Sequence, residues 1–163
     1  MATSVSKKMG ALMFRAMDKM RHRDAFDIAD PTGTDFTGFD KSRQIVLVTF
    51  KRSGEAMPSP INHGVDGGKL YVRTDASTGK VKRIRNNPNV VVVPSSLRGK
   101  PEGQPVAAIA RILPESDHAL AEHAIAANWS PVMRIFERGL DKGSAAAGLP
   151  IAYIEITPAS QPR

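Results

Sequence analysis

The chain has 163 residues, 41% of them hydrophobic and 24% charged, with no cysteine and a formal charge of +7 at a pI near 10. That length suits one domain with a self-supporting core, and the composition argues against both disorder and a fibrous class. The absence of cysteine excludes disulfides, thiol redox chemistry and Cys-type zinc sites, while the positive balance calls for an anionic partner: nucleic acid, a membrane surface or an acidic small molecule.

Among these partners nucleic acid is not expected, because only 6% of residues are aromatic and none interleaves the basic stretches to stack bases. No apolar run approaches the ~20 residues of a transmembrane helix. The first residues lack an apolar stretch followed by a small-residue cleavage site. A cytoplasmic protein without stable membrane insertion is therefore expected.

From Val5 to Met20, the residues Val5, Met9, Leu12, Met13, Ala16, Met17 and Met20 follow a helical period, and the lysines and arginine fall largely elsewhere around the axis. This predicts an amphipathic helix packed on the domain or on a second subunit, with peripheral membrane contact as the alternative. Residues 22–42, with Pro31, Gly33 and Gly38, read as a connector to which no chemistry is assigned. Strands are predicted over Gln44–Phe50, Met57–His63, Lys69–Thr74, Asn89–Val93, Val106–Leu113 and Leu149–Ile156. Arg52-Ser-Gly54 and Asp66-Gly67-Gly68 are turn sequences, so the first three strands are expected to form an antiparallel meander. Two helices, Glu115–Ala127 and Pro131–Arg138, split at Asn128-Trp129-Ser130-Pro131, precede the last strand. The expected fold is mostly β with flanking helices: about six antiparallel strands in a small barrel. Residues 1–42 form the amino-terminal helix and connector, 43–157 the barrel domain and 158–163 a tail.

The segment Tyr71-Val-Arg-Thr74-Asp-Ala-Ser-Thr78-Gly-Lys80-Val-Lys-Arg83-Ile-Arg-Asn-Asn-Pro88 runs from a strand into a basic helix opened by Thr and Gly. Free N–H groups and hydroxyls at a helix start, with cations one turn further in, form an anion cradle. At ~100° per residue Val81 and Ile84 face the core, Lys80 and Arg83 flank that seam, and Lys82 and Arg85 face away. The functional reading pairs Lys80, Arg83 and the Thr78 hydroxyl with a phosphate, and Thr74 adds a second hydroxyl. The plainer reading is a solvated helix with a basic face. No metal site is expected, because His118 and His123, five residues apart, lie roughly 140° apart on a helix. His63 stands alone on its strand, facing solvent or a ligand. Trp129, the one tryptophan, reads as a packing or dimer anchor. Nucleophile-elbow, Walker and Gly-x-Gly-x-x-Gly motifs are absent.

Taken together, Arg43-Gln-Ile-Val-Leu-Val-Thr49, the Gly54 turn, the Pro58/Pro60 strand, Gly68-Lys-Leu-Tyr-Val-Arg-Thr74, Gly79-Lys80 and Asn-Asn-Pro88 resemble the split β-barrel flavin and deazaflavin oxidoreductases. This is the superfamily of pyridoxamine 5′-phosphate oxidase, and the pattern is most similar to its deazaflavin-dependent branch. The resemblance covers roughly residues 43–113 and extends to Arg98-Gly-Lys100-Pro-Glu-Gly103 and Ala110-Arg111-Ile-Leu113. It implies a homodimer with the cofactor at the dimer interface. Lys80 matches the phosphate-binding lysine, Thr78 its neighbouring hydroxyl, Thr74 the strand-end threonine, and Arg83 a second phosphate ligand. Thr49 and Ser59–Asn62 match strands that line the ring. The cofactor so implied is coenzyme F-420, with FMN as the alternative. The acidic tail of F-420 would meet Lys51, Arg52, Lys82, Arg85, Arg98 and Lys100. The implied chemistry is hydride transfer to an unsaturated or electron-poor small molecule; no catalytic residue is assigned, though His63 or Asn62 could steady developing charge. A non-catalytic cofactor-binding protein on the same barrel is a further alternative. The basic carboxy-terminal motif of pyridoxamine phosphate oxidases is missing, which argues against pyridoxal phosphate synthesis.

Overall fold

The run Gln-Ile-Val-Leu-Val-Thr-Phe is rich in β-branched residues, which fit a pleated, half-buried surface. In the computed structural model it forms strand β1 (Gln44–Phe50). The structure describes residues 23–132, 134–135, 148 and 150–159. The helix expected over 5–20 lies outside these residues, as do half of 131–138 and most of the tail. The remaining strands are β2 (Ala56–Ile61), β3 (His63–Asp66), β4 (Lys69–Asp75), β5 (Asn89–Ser95), β6 (Val106–Ile112) and β7 (Ile151–Pro158). Helix α1 spans Gly79–Asn86, and α2 spans His118–Ala127 after a 3₁₀ turn at Glu115–Asp117.

The strands make one antiparallel sheet of seven, not six, in the order β2-β1-β5-β6-β7-β4-β3. The difference arises at Asn62. The expected single strand Met57–His63 breaks there, so that β2 pairs with β1 (Leu47 opposite Ser59) while β3 pairs with β4 (His63 opposite Val72). Strands adjacent in the chain therefore lie at the two ends of the sheet, which curls into a half-barrel. The expected three-stranded meander is really two separate hairpins. Gly67 and Gly68 (φ +56° and +75°) supply the pair of positive φ values that a tight two-residue hairpin turn of matching twist requires. On β2, Pro58 and Pro60 cannot donate to a neighbouring strand, which blunts that edge of the sheet.

Alternation along the strands sorts two faces. Ile45 and Leu47 of β1, Leu70 and Val72 of β4, and Ile154 and Ile156 of β7 point into the barrel, where Val81 and Ile84 of α1 join them. Each such buried aliphatic side chain contributes about 1.5–3 kcal/mol. Val46 and Val48 face outward beneath Ala25 and Ile28 of the connector. Tyr71 of β4 faces α2, whose Ala121, Ala124 and Ile125 are buried against it. The helix backbone comes so close that a Cβ on Gly64 would lie 2.2 Å from the carbonyl of Ala124.

His63 faces neither solvent nor a ligand. It is completely buried, and its Nε2 donates to the Phe39 carbonyl at 2.8 Å, pinning the connector's 3₁₀ turn (Phe39–Lys41) to the split between β2 and β3.

Candidate functional site

Helix α1 caps one end of the barrel. Its start is shaped by Asp75 at the end of β4: the Asp75 carboxylate accepts from Ser77 N at 2.7 Å and from Ser77 Oγ at 2.6 Å, and its carbonyl accepts from the Thr78 hydroxyl at 2.9 Å. Thr78 occupies the N-cap in extended conformation without capping the helix with its side chain. The first helical N–H groups are thus left without a side-chain cap, a setting that favours an anion. The helix ends at Asn87, because the residue before Pro88 avoids helical conformation.

Val81 and Ile84 are buried, Lys82 and Arg85 are exposed, and Lys80 and Arg83 are half-buried beside the core seam. Arg83 folds back along the helix. Its Nε donates to Thr49 Oγ1 at 2.7 Å, and its Nη1 lies 2.8 Å from where a Cβ on Gly79 would stand. Thr49, fully buried near the end of β1, thereby fixes the guanidinium over the first turn of α1. No carboxylate among the described residues pairs with Arg83, and burial lowers its pKa from the ordinary arginine value. A half-buried, tethered guanidinium fork beside a helix start offers an anion charge-assisted hydrogen bonds of fixed geometry.

The structure therefore brings Thr49, Thr78, Lys80 and Arg83 to one rim. Thr74 lies one residue before Asp75 on β4, in the same alternating set as the inward-facing Leu70 and Val72. Lys51 stands apart, in an exposed turn where its ammonium pairs with Glu55 at 2.6 Å. Ser59 is half-buried on β2 opposite Leu47, and Asn62 lies further along at the split, where it accepts from Gln44 Nε2 at 3.1 Å. Arg52 reaches Asn86 at the far end of α1 at 3.5 Å. What the sequence reading missed is the role of Gly79, whose missing side chain leaves room for Arg83. The strand-to-helix register that aligns Thr49 with Arg83, 34 residues later, leaves no local signal.

On the outer side of the same rim, Ile28, Asp30, Val48, Phe50, Pro58 and Val91 border a cleft of about 180 Å³ that is apolar but for Asp30. Phe50 and Ala56 are register neighbours of Thr49 and Met57, so the cleft and the cradle flank one strand end from opposite faces. A larger groove of about 520 Å³, toward the Gln44 end of β1, sets Lys41 against Asp35 and Glu102, a poor complement to an anion. Among the described residues no group of three His, Asp or Glu side chains could hold a metal ion. None of their helices is long and apolar enough to cross a membrane.

No protein-family model and no curated protein matches the sequence. Solved structures do match. The haem storage protein of Vibrio cholerae aligns with a TM-score of 0.52 at 14% identity, over 76% of this chain and 87% of that one. A FAD-binding protein of Mesorhizobium loti aligns with a TM-score of 0.50 at 17% identity, over 74% and 82%. A Listeria innocua protein provisionally named a pyridoxamine 5′-phosphate oxidase aligns with a TM-score of 0.50 at 18% identity, over 74% and 87%. At these identities the likeness is one of fold alone, and the proteins that share it include a FAD-binding and a haem storage protein. The deazaflavin branch is not singled out by these neighbours.

Proposed function

We propose that the chain binds a phosphate-bearing flavin-type cofactor at the α1 rim and serves as an oxidoreductase with coenzyme F-420. The observation that carries this reading is Arg83: a half-buried guanidinium tethered by Thr49 over an uncapped helix start, with no carboxylate partner among the described residues. Such a group binds a phosphate through charge-assisted, geometrically fixed hydrogen bonds. Lys80 and the first N–H groups of α1 would complete the anion shell, the Thr78 hydroxyl being committed to the Asp75 carbonyl, and Thr74 would stand behind them. The cleft around Val48, Phe50 and Pro58 would shield a ring from water, with Ser59 further along β2 and Asn62 at the split beyond its end. When bound, F-420 supplies the hydride chemistry; the protein's part is to bind, orient and exclude water. The preference for F-420 rests on charge, since the exposed Lys82, Arg85, Arg98 and Lys100 suit a tail of several carboxylates. The cofactor is proposed to sit between two copies of the chain in a cytoplasmic homodimer, and no nucleic-acid partner is proposed.

A second reading keeps the fold and changes the cofactor or the outcome. Neighbours that bind FAD or store haem favour FMN, or a non-catalytic carrier, on the same rim. Replacing Lys80 by Ala should weaken cofactor binding at least tenfold in equilibrium dialysis. Unchanged affinity would remove the cradle from the account. Hydride transfer by the loaded protein to an electron-poor acceptor then separates enzyme from carrier.

A further inference from the structure

The α1 rim carries a negative charge of its own. Asp75, half-buried at the end of β4, stands ahead of the helix that holds the half-buried Lys80 and Arg83. Its Oδ1 accepts from both Ser77 N and the Ser77 hydroxyl, and its backbone carbonyl accepts from the Thr78 hydroxyl. Its Oδ2 has no hydrogen-bond partner among the described residues, and none of their cations pairs with it. Both hydroxyls ahead of α1 are thus drawn back to Asp75 instead of forward onto the helical N–H groups, which stay open to an anion. The same bonds hold a carboxylate beside that opening. Ser77 stands two residues before Gly79, the first residue of α1. At most about 7 Å of chain separates them, within the ~8 Å over which charges act at physiological salt.

We infer that Asp75 makes the α1 rim selective for a singly charged phosphodiester over a doubly charged phosphomonoester, an inference that rests on reading this rim as a phosphate site. Lys80 and Arg83 against Asp75 leave one net positive charge among the half-buried groups of the rim, the complement of one negative charge. A phosphodiester carries a single charge at neutral pH. A monoester, whose second pKa is about 6, carries close to two, and the second is opposed by the unpaired carboxylate. The phosphate of F-420 is a diester and that of FMN a monoester. Lys80, Arg83 and the helix start hold either one; the turn from Asp75 to Thr78 separates them by charge.

Asp75→Asn keeps an acceptor for Ser77 and removes the charge. One further charge at such a distance is worth roughly a factor of three. In isothermal titration of the full-length protein at fixed pH and salt, the variant should bind F-420 about threefold and FMN about ninefold more tightly than the wild type. Riboflavin, which has the ring and no phosphate, should gain nothing. Ser77→Lys sets a cation beside Asp75 at an exposed position and should narrow the F-420-to-FMN ratio in the same direction, so the test stands even where Asp75→Asn fails to fold. A turn that was merely loosened would weaken both cofactors alike. A ratio that neither variant narrows, with both cofactors bound, overturns the inference and leaves the phosphate site in place. Binding of neither cofactor by the wild type removes the site and the inference together.

Discussion

Replacing Thr49 by Val keeps the shape of a fully buried β1 side chain and removes the oxygen to which Arg83 Nε donates at 2.7 Å. The guanidinium then loses its tether while keeping its charge. The expected result is a cofactor affinity lowered about three- to tenfold, roughly 0.7–1.4 kcal/mol, against a loss of tenfold to a hundredfold for Arg83→Ala, in line with the ~1.5–3 kcal/mol of a hydrogen bond to a charged group. Isothermal titration of both variants checks the order. Equal losses would mean that Thr49 does not position Arg83. His63 carries a different prediction. Burial lowers its pKa below 6.5, opposed by the bond to the Phe39 carbonyl and by Asp40. Its Nδ1 has no partner among the described residues, so protonation would place a buried N–H without an acceptor. Because the folded value is depressed, the unfolded chain binds this proton more readily, and the stability His63 contributes is complete above about 6.5 and falls away below it. Thermal melts should drop more steeply between pH 7 and pH 5 for the wild type than for His63→Gln, whose amide can still donate to Phe39. Identical slopes would contradict this. The sequence showed that a histidine stood on a strand, but not that the connector's Phe39 carbonyl would come to cover it: burial by a distant segment leaves no periodic trace.

At the scale of elements, the hairpins and α1 were legible because their signals are local. The turns follow from Gly67 and Gly68, the buried seam of α1 from the spacing of Val81 and Ile84, and its end from Pro88. The break at Asn62 was not legible. Asn62 alone, without an adjoining glycine, is too weak a turn signal to mark the break, and what divides β2 from β3 is the choice of partner, β1 for one and β4 for the other, a consequence of how the whole sheet curls. Gly64 records that closure. A Cβ there would lie 2.2 Å from Ala124 backbone atoms, and backbone cannot swing aside as a side chain can. Gly64→Ala should therefore cost about 3 kcal/mol or more, at or beyond the upper end of ordinary overpacking, and α2 should lose hydrogen-exchange protection before the β1–β5 pair does. A change below 1 kcal/mol would mean that α2 sits further from β3. Gly79→Ala makes the opposite case. The atom it meets is the end of the Arg83 side chain at 2.8 Å, so the variant should fold as well as the wild type while binding cofactor less tightly.

At the scale of the whole molecule, the charge of +7 and the cradle make different contributions to binding. Exposed cations such as Lys82 and Arg85 act through solvent and are screened over about 8–10 Å at physiological salt, whereas the half-buried Arg83 is screened much less. F-420 binding should weaken severalfold between 50 and 500 mM salt and then level off; FMN, with its shorter anionic portion, should show the shallower slope. Lys51, committed to an exposed pair with Glu55, should matter little, and Lys51→Ala should alter affinity by less than about 0.5 kcal/mol. The pattern of antiparallel strands made the half-barrel readable at this scale, though one strand short of the seven observed. The choice among cofactors was not, because a phosphate cradle recognises what flavins and deazaflavins share, and the features that distinguish them fall on loops, whose composition does not encode a ligand shape.

Equilibrium dialysis of the purified protein against F-420 and, separately, FMN at near-physiological salt, with Arg83→Ala alongside, tests the central claim most directly. The account predicts tight F-420 binding, FMN at least tenfold weaker, and loss of both in the variant. Binding of neither cofactor, or binding that Arg83→Ala leaves unchanged, would contradict it and reduce the α1 rim to a solvated basic helix.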